Sequence, residues 1–455
     1  MTEPTSVVWF RDDLRVHDNP ALHEAVERGG PIVCLYVLDE ESPRIRPLGG
    51  ASRWWLHHSL EALASSLAEL GLTLTLRRGP AQEVVSEVVD ETSASAVFWN
   101  RRYGEPEREV DAALKSALRE RGIEVKSFQG SLLYEPWTVL TGQGTPYRVF
   151  TPFYRSCLAQ QAPRLPLPAP HDGLHHRRLP SDELSGWRLL PTHPDWAGGL
   201  RERWAPGEES ARATLSEWLE SGGAGDYADE HDLPAEDSTS HLSPHLRWGE
   251  ISPFEVWRAV SQRRSRHRGE AEGATGYLRQ IIWREFGYHL LFHYPQITTE
   301  NLRTEFDRFP WEAADDDRLR PWRTGRTGIP LVDAGMRELW TTGYMHNRVR
   351  LVTGSFLVKN LRIHWKTGEE WFWDTLVDAD PASNALNWQW VAGSGPDAAP
   401  YFRVFNPELQ ATKFDPHGEY VRRWVPERGT DDYPAPVVDL AESRRAALDA
   451  YATIR

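Results

Sequence analysis

Over its first 130 residues the chain alternates short apolar runs with amphipathic stretches, and this rhythm constrains the fold more than any other feature of the 455-residue sequence. Candidate strands are Val7 to Phe10, Ile32 to Leu38, Leu72 to Arg77, Ala96 to Asn100 and Glu124 to Phe128, while Ala51 to Leu70 and Glu105 to Arg121 read as helices. Such alternation predicts an α/β domain with a doubly wound parallel sheet. Sheets of this kind bind ligands beyond the C-terminal ends of their strands. Neither a GxGxxG nor a Walker sequence is present, so the pattern leaves the ligand unnamed.

Between about Ala162 and Pro206 the chain is dense in Pro, His and Gly, including PRLPLPAPHDG, and has no sustained periodicity. It reads as a connector lying over the surface. Helical periodicity then dominates to about Asn360. In the segment Thr275 to His293, for example, Leu278, Ile281, Ile282, Phe286 and Leu290 recur at spacings of three and four. The expected organisation is an α/β domain over 1–130, a connector over 131–206 and a mostly α-helical domain over 207–455, and the length suffices for two sizeable cores.

The formal net charge is −14, so bulk attraction to nucleic acid is not expected, and any such contact needs a local basic patch. Arg337 to Lys366 offers one, with Arg348, Arg350, Lys359, Arg362 and Lys366 beside His346 and His364; a solvated helix face is the plainer reading of the same charges. The two cysteines, Cys34 and Cys157, argue against a disulfide scaffold or a cysteine metal site and fit a reducing cytosol. His57, His58, His175 and His176 show no persuasive metal-ligand spacing and read as surface or packing residues. With no signal-peptide pattern and no apolar run approaching ~20 residues, a soluble cytoplasmic protein, monomeric and without a membrane partner, is expected.

Nine of the 21 tryptophans lie from Trp311 onward. Tryptophan is a demanding packing residue, because a buried indole needs a partner for its N–H, so this density points to redox chemistry or base stacking. The stretch GIPLVDAGMRELWTTGYMHNRVRLVTGSFLVKNLRIHWKTGEEWFWDTLVDADPASNALNWQWVAG, with VVWFRDDLRVHDNPAL near the N-terminus, TSHLSPHLRWGEISP from Thr239 and IIWREF from Ile281, resembles the DNA photolyase and cryptochrome family. Within it the chain is most similar to the bacterial class I and class III cyclobutane pyrimidine dimer photolyases. The resemblance covers nearly the whole chain, with several motifs in the right order.

That resemblance implies FAD as the cofactor. Taken alone, Thr239, Ser240 and Ser243 are the residues of a helix N-cap. By resemblance Tyr227, Thr239, Ser240, His241, Leu242 and Ser243 bind the dinucleotide tail, with His241 where many members carry Arg. Two acids two residues apart suit a turn equally well. By resemblance Arg350, Asp378, Ala379, Asp380 and Asn384 surround the flavin ring, Arg350 pairing with Asp378 and Asn384 facing N5, where an amide either donates or accepts. Trp388, Trp365 and Trp311 match the family's chain of tryptophans that carries an electron inward. A second, antenna chromophore, methenyltetrahydrofolate or 8-hydroxy-deazaflavin, is expected around Arg11 to Asp13, Phe98 to Tyr103 and Glu107.

UV-damaged DNA is the implied partner. A lesion must leave the duplex, and its pocket needs aromatic planes for the bases and polar groups for their edges. Trp283 and Trp390 match the stacking residues, and Gln280, Asn347, Arg348 and Leu351 line the rest; helical spacing puts Gly287 on the face of Trp283, leaving room for a base. Two positions depart from the usual pattern, with Gln280 in place of Glu and Leu351 in place of Met. The implied activity is light-driven splitting of cyclobutane pyrimidine dimers, which needs no general acid or base. The rivals are a cryptochrome-type blue-light receptor and a photolyase for six-four photoproducts.

Overall fold

The computed structural model describes residues 4–171, 174–397 and 402–454. Its N-terminal part holds five parallel strands, β1 (Ser6–Phe10), β2 (Ile32–Leu38), β3 (Leu74–Arg78), β4 (Ala96–Asn100) and β5 (Glu124–Phe128), in the order β3-β2-β1-β4-β5. Ser6 of β1 pairs with Ile32 on one side and with Ala96 on the other. Helices α1 (Pro20–Arg28), α2 (Gly50–Glu69), α3 (Ala81–Thr92) and α4 (Glu105–Glu120) cover both faces. The period of two along β1 decides which. Val8 and Phe10 pack with Leu22 of α1 and Trp54 and Trp55 of α2, whereas Val7 and Trp9 pack with Val85 of α3 and Leu114 of α4. The expected doubly wound sheet is therefore present, and its strand order reverses between β1 and β4.

The Pro-rich stretch after Ala162 lies over the surface, with no buried residue among those described up to Gly186, and is anchored beyond it. Trp187, Leu189, Leu200 and Trp204 are buried in the same cluster as α2, and His176 forms an isolated parallel bridge with Ile32 at the start of β2. Its apolar anchors are spaced too irregularly for any period to expose them. Upstream, α5 (Phe150–Ala159) sends Phe150, Phe153 and Cys157 into the core of the helical part.

That part comprises α6 (Gly198–Arg203), α7 (Glu208–Glu220), α8 (Gly223–Glu230), α9 (Ser243–Trp248), α10 (Pro253–Arg266), α11 (Ala271–His293), α12 (Asp316–Arg323), α13 (Pro330–Thr342), α14 (Asn347–Ser355), α15 (Trp365–Thr375), α16 (Pro381–Ala392), α17 (Pro407–Phe414), α18 (Glu419–Trp424) and α19 (Leu440–Ala452). The apolar stripe of α11 packs against α8, α10 and α16, and the helix begins four residues earlier than the periodicity places it. Asp380 caps α16 by accepting from the Ala382 and Ser383 amides, and Gly393 ends it at φ 91°. Histidines cap the two helices beside it: Nδ1 of His346 accepts from Arg348 N and Nδ1 of His364 from Lys366 N. Both imidazoles are thereby fixed at the mouths of α14 and α15. Among the described residues no helix is long and apolar enough to cross a membrane.

Candidate functional site

Helices α14 and α16 converge with the segment before α16 on one cavity. Arg350, Asp378, Ala379, Asp380, Asn384 and Trp388 line it, with Asn347 and Leu351 in the same wall. Arg350 grips Asp378 through two nitrogens, at 2.8 and 3.1 Å. Burial opposes the charge on Arg350, but the Asp378 carboxylate outweighs it and holds the guanidinium firmly protonated. Ser243, at the start of α9, donates its hydroxyl to Asp378 at 2.7 Å, so the Ser/Thr turn and the acid–base pair form one polar wall. Tyr288 of α11 donates to Asp380 at 2.5 Å.

Asn384 has only one of its two amide ends to offer. Its Nδ2 donates to the Glu369 carbonyl at 3.0 Å and to the Glu369 carboxylate at 2.9 Å, leaving Oδ1, an acceptor, as its remaining polar atom. Glu369, on α15, is buried and also holds Arg46 and Lys366, at 2.6 and 2.7 Å. Sequence reading missed this carboxylate; its place one turn after Trp365 on an otherwise apolar helix face was the available signal.

In the turn before α9, His241 takes a left-handed backbone (φ 50°) and sits between Arg203, at 2.9 Å, and Asp237, at 2.5 Å. A guanidinium therefore stands beside this histidine. Ser240 hydrogen-bonds Tyr277 at 2.9 Å, Leu242 is buried, and Tyr227 packs edge-on to Tyr277 and stacks on His231. The donor set fits a flavin dinucleotide: hydroxyls and a cation on one side, and a half-buried Arg paired with a buried Asp, with an amide, on the other. Nε2 of His346, buried with no partner among the described residues, lies among the same groups. Burial and neighbouring cations push His346 down to about 4, so it is neutral at pH 7.

The three tryptophans descend from half-buried to buried: Trp311 is partly exposed, and Trp365 and Trp388 are buried. Trp388 packs against α15 because Gly368 has no side chain; a Cβ there would stand 2.2 Å from the indole. Trp365 donates to Asn301 Oδ1 at 2.8 Å, and Trp311 to the Phe306 carbonyl at 3.2 Å.

Trp283 is half-buried, with one face covered by Phe150 at 3.6 Å and nearly parallel. The Phe150 amide donates to the Asp397 carboxylate at 3.3 Å, and Trp390 donates to the Asp397 carbonyl at 3.1 Å, so one residue ties the two indoles together. Gln280 is exposed one turn before Trp283. Gly287 does not open space for a base: it lies against Ala382 and Leu386 and serves the approach of α11 to α16.

The expected basic patch is not a surface patch. Arg348 pairs with Asp232 and covers the Phe414 ring, Arg350 pairs with Asp378, Arg362 with Glu312 and Lys366 with Glu369. Lys359 is buried against the Ala392 carbonyl. Each cation spends its charge inside the fold, because tertiary contacts bring it a carboxylate or a helix end that spacing does not show. On α2, His57 and His58 both contact the Glu61 carboxylate, at 3.4 and 2.9 Å, as helical neighbours, and burial lowers the His57 imidazole below its ordinary value.

Where the sheet order reverses, a cleft of ≈ 920 Å³ opens between the sheet and the helices. Arg11, Asp12, Arg101, Arg102, Tyr103 and Glu107 line it from the sheet side, and Arg46, Arg247, Tyr288 and Lys366 are also among its lining residues. Phe98 and Trp99 of the expected antenna segment point into the sheet's cores instead.

Two family models match the chain, DNA photolyase over residues 6–171 and the FAD binding domain of DNA photolyase over residues 277–430. The chain is 47% identical to a deoxyribodipyrimidine photo-lyase of Agrobacterium fabrum, covering 99% of this chain and 98% of that protein, and 38% identical to cryptochrome-2 of Arabidopsis thaliana, covering 93% and 70%. It superposes on the crystal structure of a bacterial class III photolyase from Agrobacterium tumefaciens with a TM-score of 0.94 at 47% identity, covering 100% of this chain and 98% of that one.

Proposed function

This chain belongs to the DNA photolyase family, and from that membership we propose a deoxyribodipyrimidine photo-lyase, a carbon–carbon lyase that uses light to split cyclobutane pyrimidine dimers in ultraviolet-damaged DNA. The observation that carries the reading is the single cavity in which the Arg350–Asp378 pair, Asn384 and Trp388 meet Asn347 and Leu351. When bound in reduced form, FAD supplies, on absorbing blue or near-ultraviolet light, the one electron that the dimer accepts before its ring bonds part and that returns afterwards.

The chain's own residues bind, orient and shield. Thr239, Ser240 and Ser243 would hold the dinucleotide tail, the Arg350–Asp378 pair would flank the ring, and Asn384 would present an acceptor toward N5. Trp388, Trp365 and Trp311 pass electrons inward from solvent. Trp283 and Trp390 stack the flipped bases, while Gln280, Asn347 and Leu351 meet their edges. Arg348 reaches a phosphate only by giving up Asp232. Gln280 hydrogen-bonds thymine carbonyl or imide groups without a charge that would repel the reduced dimer. The cleft at the sheet's switch point suits the antenna, methenyltetrahydrofolate or 8-hydroxy-deazaflavin. The proposal includes the division at 1–130, 131–206 and 207–455, a monomer, and a cytoplasmic location.

The deciding experiment is blue-light treatment, with the reduced protein, of one oligonucleotide carrying a cyclobutane thymine dimer and another carrying a six-four photoproduct. Loss of the cyclobutane dimer alone is expected. Repair of the six-four lesion instead makes Gln280 the specificity marker, and no repair of either with intact flavin photochemistry favours the cryptochrome-type receptor.

A further inference from the structure

A short aromatic path enters the molecule at the start of α15, and its middle member is not a tryptophan. The His364 ring lies 5.0 Å from Trp311 and 5.5 Å from Trp365, centroid to centroid, so the two indoles share it as a neighbour. It is not the base for either: Trp365 N–H goes to Asn301 and Trp311 N–H to the Phe306 carbonyl. Its Nδ1 accepts the Lys366 amide at 3.1 Å, which fixes the neutral ring with its proton on Nε2. A second proton must therefore fall on Nδ1, where it breaks the cap of α15 and places a charge beside both indoles.

We infer that His364 is a positioning residue and a proton-operated brake on the tryptophan path. Neutral, it spaces Trp311 and Trp365 and leaves either free to carry a positive charge. Protonated, it sets a cation against both rings and slows the transfer. The inference rests on the electron-carrying role proposed above for the tryptophans. In each passage one electron moves from Trp365 to oxidised Trp388 and one from Trp311 to Trp365; no bond forms or breaks in these two transfers, and a soluble outer-sphere one-electron donor refills Trp311.

One of the charges facing the ring offsets part of this effect. Lys366, on its own helix, is paired with Glu369 at 2.7 Å. Asp307, from the turn Thr304–Arg308, faces the imidazole and keeps its negative charge while accepting from Asn301 at 2.7 Å, and Arg362 is paired with Glu312. Burial, opposed by Asp307 and reinforced by Lys366, brings His364 below the ordinary imidazole value. The path is open at neutral pH and closes in acid.

Two readouts test this on the FAD-loaded protein. An NMR titration of the His364 imidazole is expected to show a midpoint below ~6.5. Light-driven flavin reduction with hexacyanoferrate(II), a donor that does not titrate between pH 5 and 8, is expected to fall about tenfold through the same midpoint, the order that one added charge at 5 Å produces after screening. His364→Asn keeps an oxygen to cap α15 and removes the titration, and His364→Phe keeps a ring; either is expected to bring the ratio of rates at pH 8 and pH 5 close to one. A pH step that survives in both variants, or an imidazole that does not titrate between pH 4 and 8, overturns the inference. Trp365→Phe separates the two levels: if it leaves photoreduction at full rate, the tryptophan reading fails first and the brake fails with it.

Discussion

Asp378 and Asn384 carry the sharpest residue-level expectations. Asp378 is buried and is the counter-charge of a guanidinium only a quarter exposed. Removing one partner of a fully buried pair costs ~3–5 kcal/mol. Arg350's partial exposure puts Asp378→Asn at about 3 kcal/mol or less, measured by thermal unfolding, together with weaker FAD retention on gel filtration. Asn384→Ala removes the acceptor and frees Glu369 from the amide that it holds. FAD is expected to stay bound while the visible spectrum that develops on illumination changes; an unchanged spectrum removes Asn384 from the role at N5. Both residues stood out in the sequence, but what each touches did not. The orientation of the Asn384 amide comes from Glu369, fifteen residues away, on a helix whose place beside α16 is a product of packing.

At the scale of elements, α15 and α16 make the site by their closeness, and Gly368 permits it. A methyl group there meets Trp388 at 2.2 and 2.5 Å and Leu357 at 2.7 Å. Overpacking of this kind costs ~1–3 kcal/mol, against a gain of up to ~1 kcal/mol from replacing a helical glycine. Gly368→Ala is therefore expected to be a net loss, seen as a lower midpoint in urea and an altered Trp388 environment in near-ultraviolet circular dichroism; equal or greater stability would mean that α15 and α16 part easily. The strands were legible nearly to the residue, since β2, β4 and β5 have the bounds expected from the sequence. The helix starts at Asn347 and Trp365 were not, because histidine is an uncommon N-cap and only the folded loop aims Nδ1 at the right amide.

Across the whole molecule, buried titratable groups set the response to pH. Burial in the helical core pushes Glu285 up to about 7, where its carboxylate accepts from the Tyr134 amide at 3.0 Å. Because the folded state holds this proton more tightly than the unfolded chain, its contribution is full below the unfolded value near 4.5 and is lost as pH rises through 7. Burial moves His289 the other way, down to about 4, so its contribution is full above ~6.5 and is lost as pH falls toward 4. Glu285→Gln keeps the acceptor and removes the titration. Its stability relative to the parent is expected to rise from near zero at pH 4.5 to about 3 kcal/mol at pH 8, measured by urea unfolding across that range. A difference that does not change with pH would show that Glu285 ionises freely. By itself the sequence determined the parallel sheet, through the alternation of short apolar runs with amphipathic stretches, and the family, through motifs such as NALNWQW and TSHLSP, because local pattern and side-chain identity are properties of the chain. Only the tertiary structure decided which charges are spent internally, as with Arg348 on Asp232, that Trp187 and Trp204 anchor the end of a stretch that reads as a strap, and that His364 stands between two tryptophans. Those facts depend on contacts between segments distant in sequence, and pairing at a distance leaves no period to read.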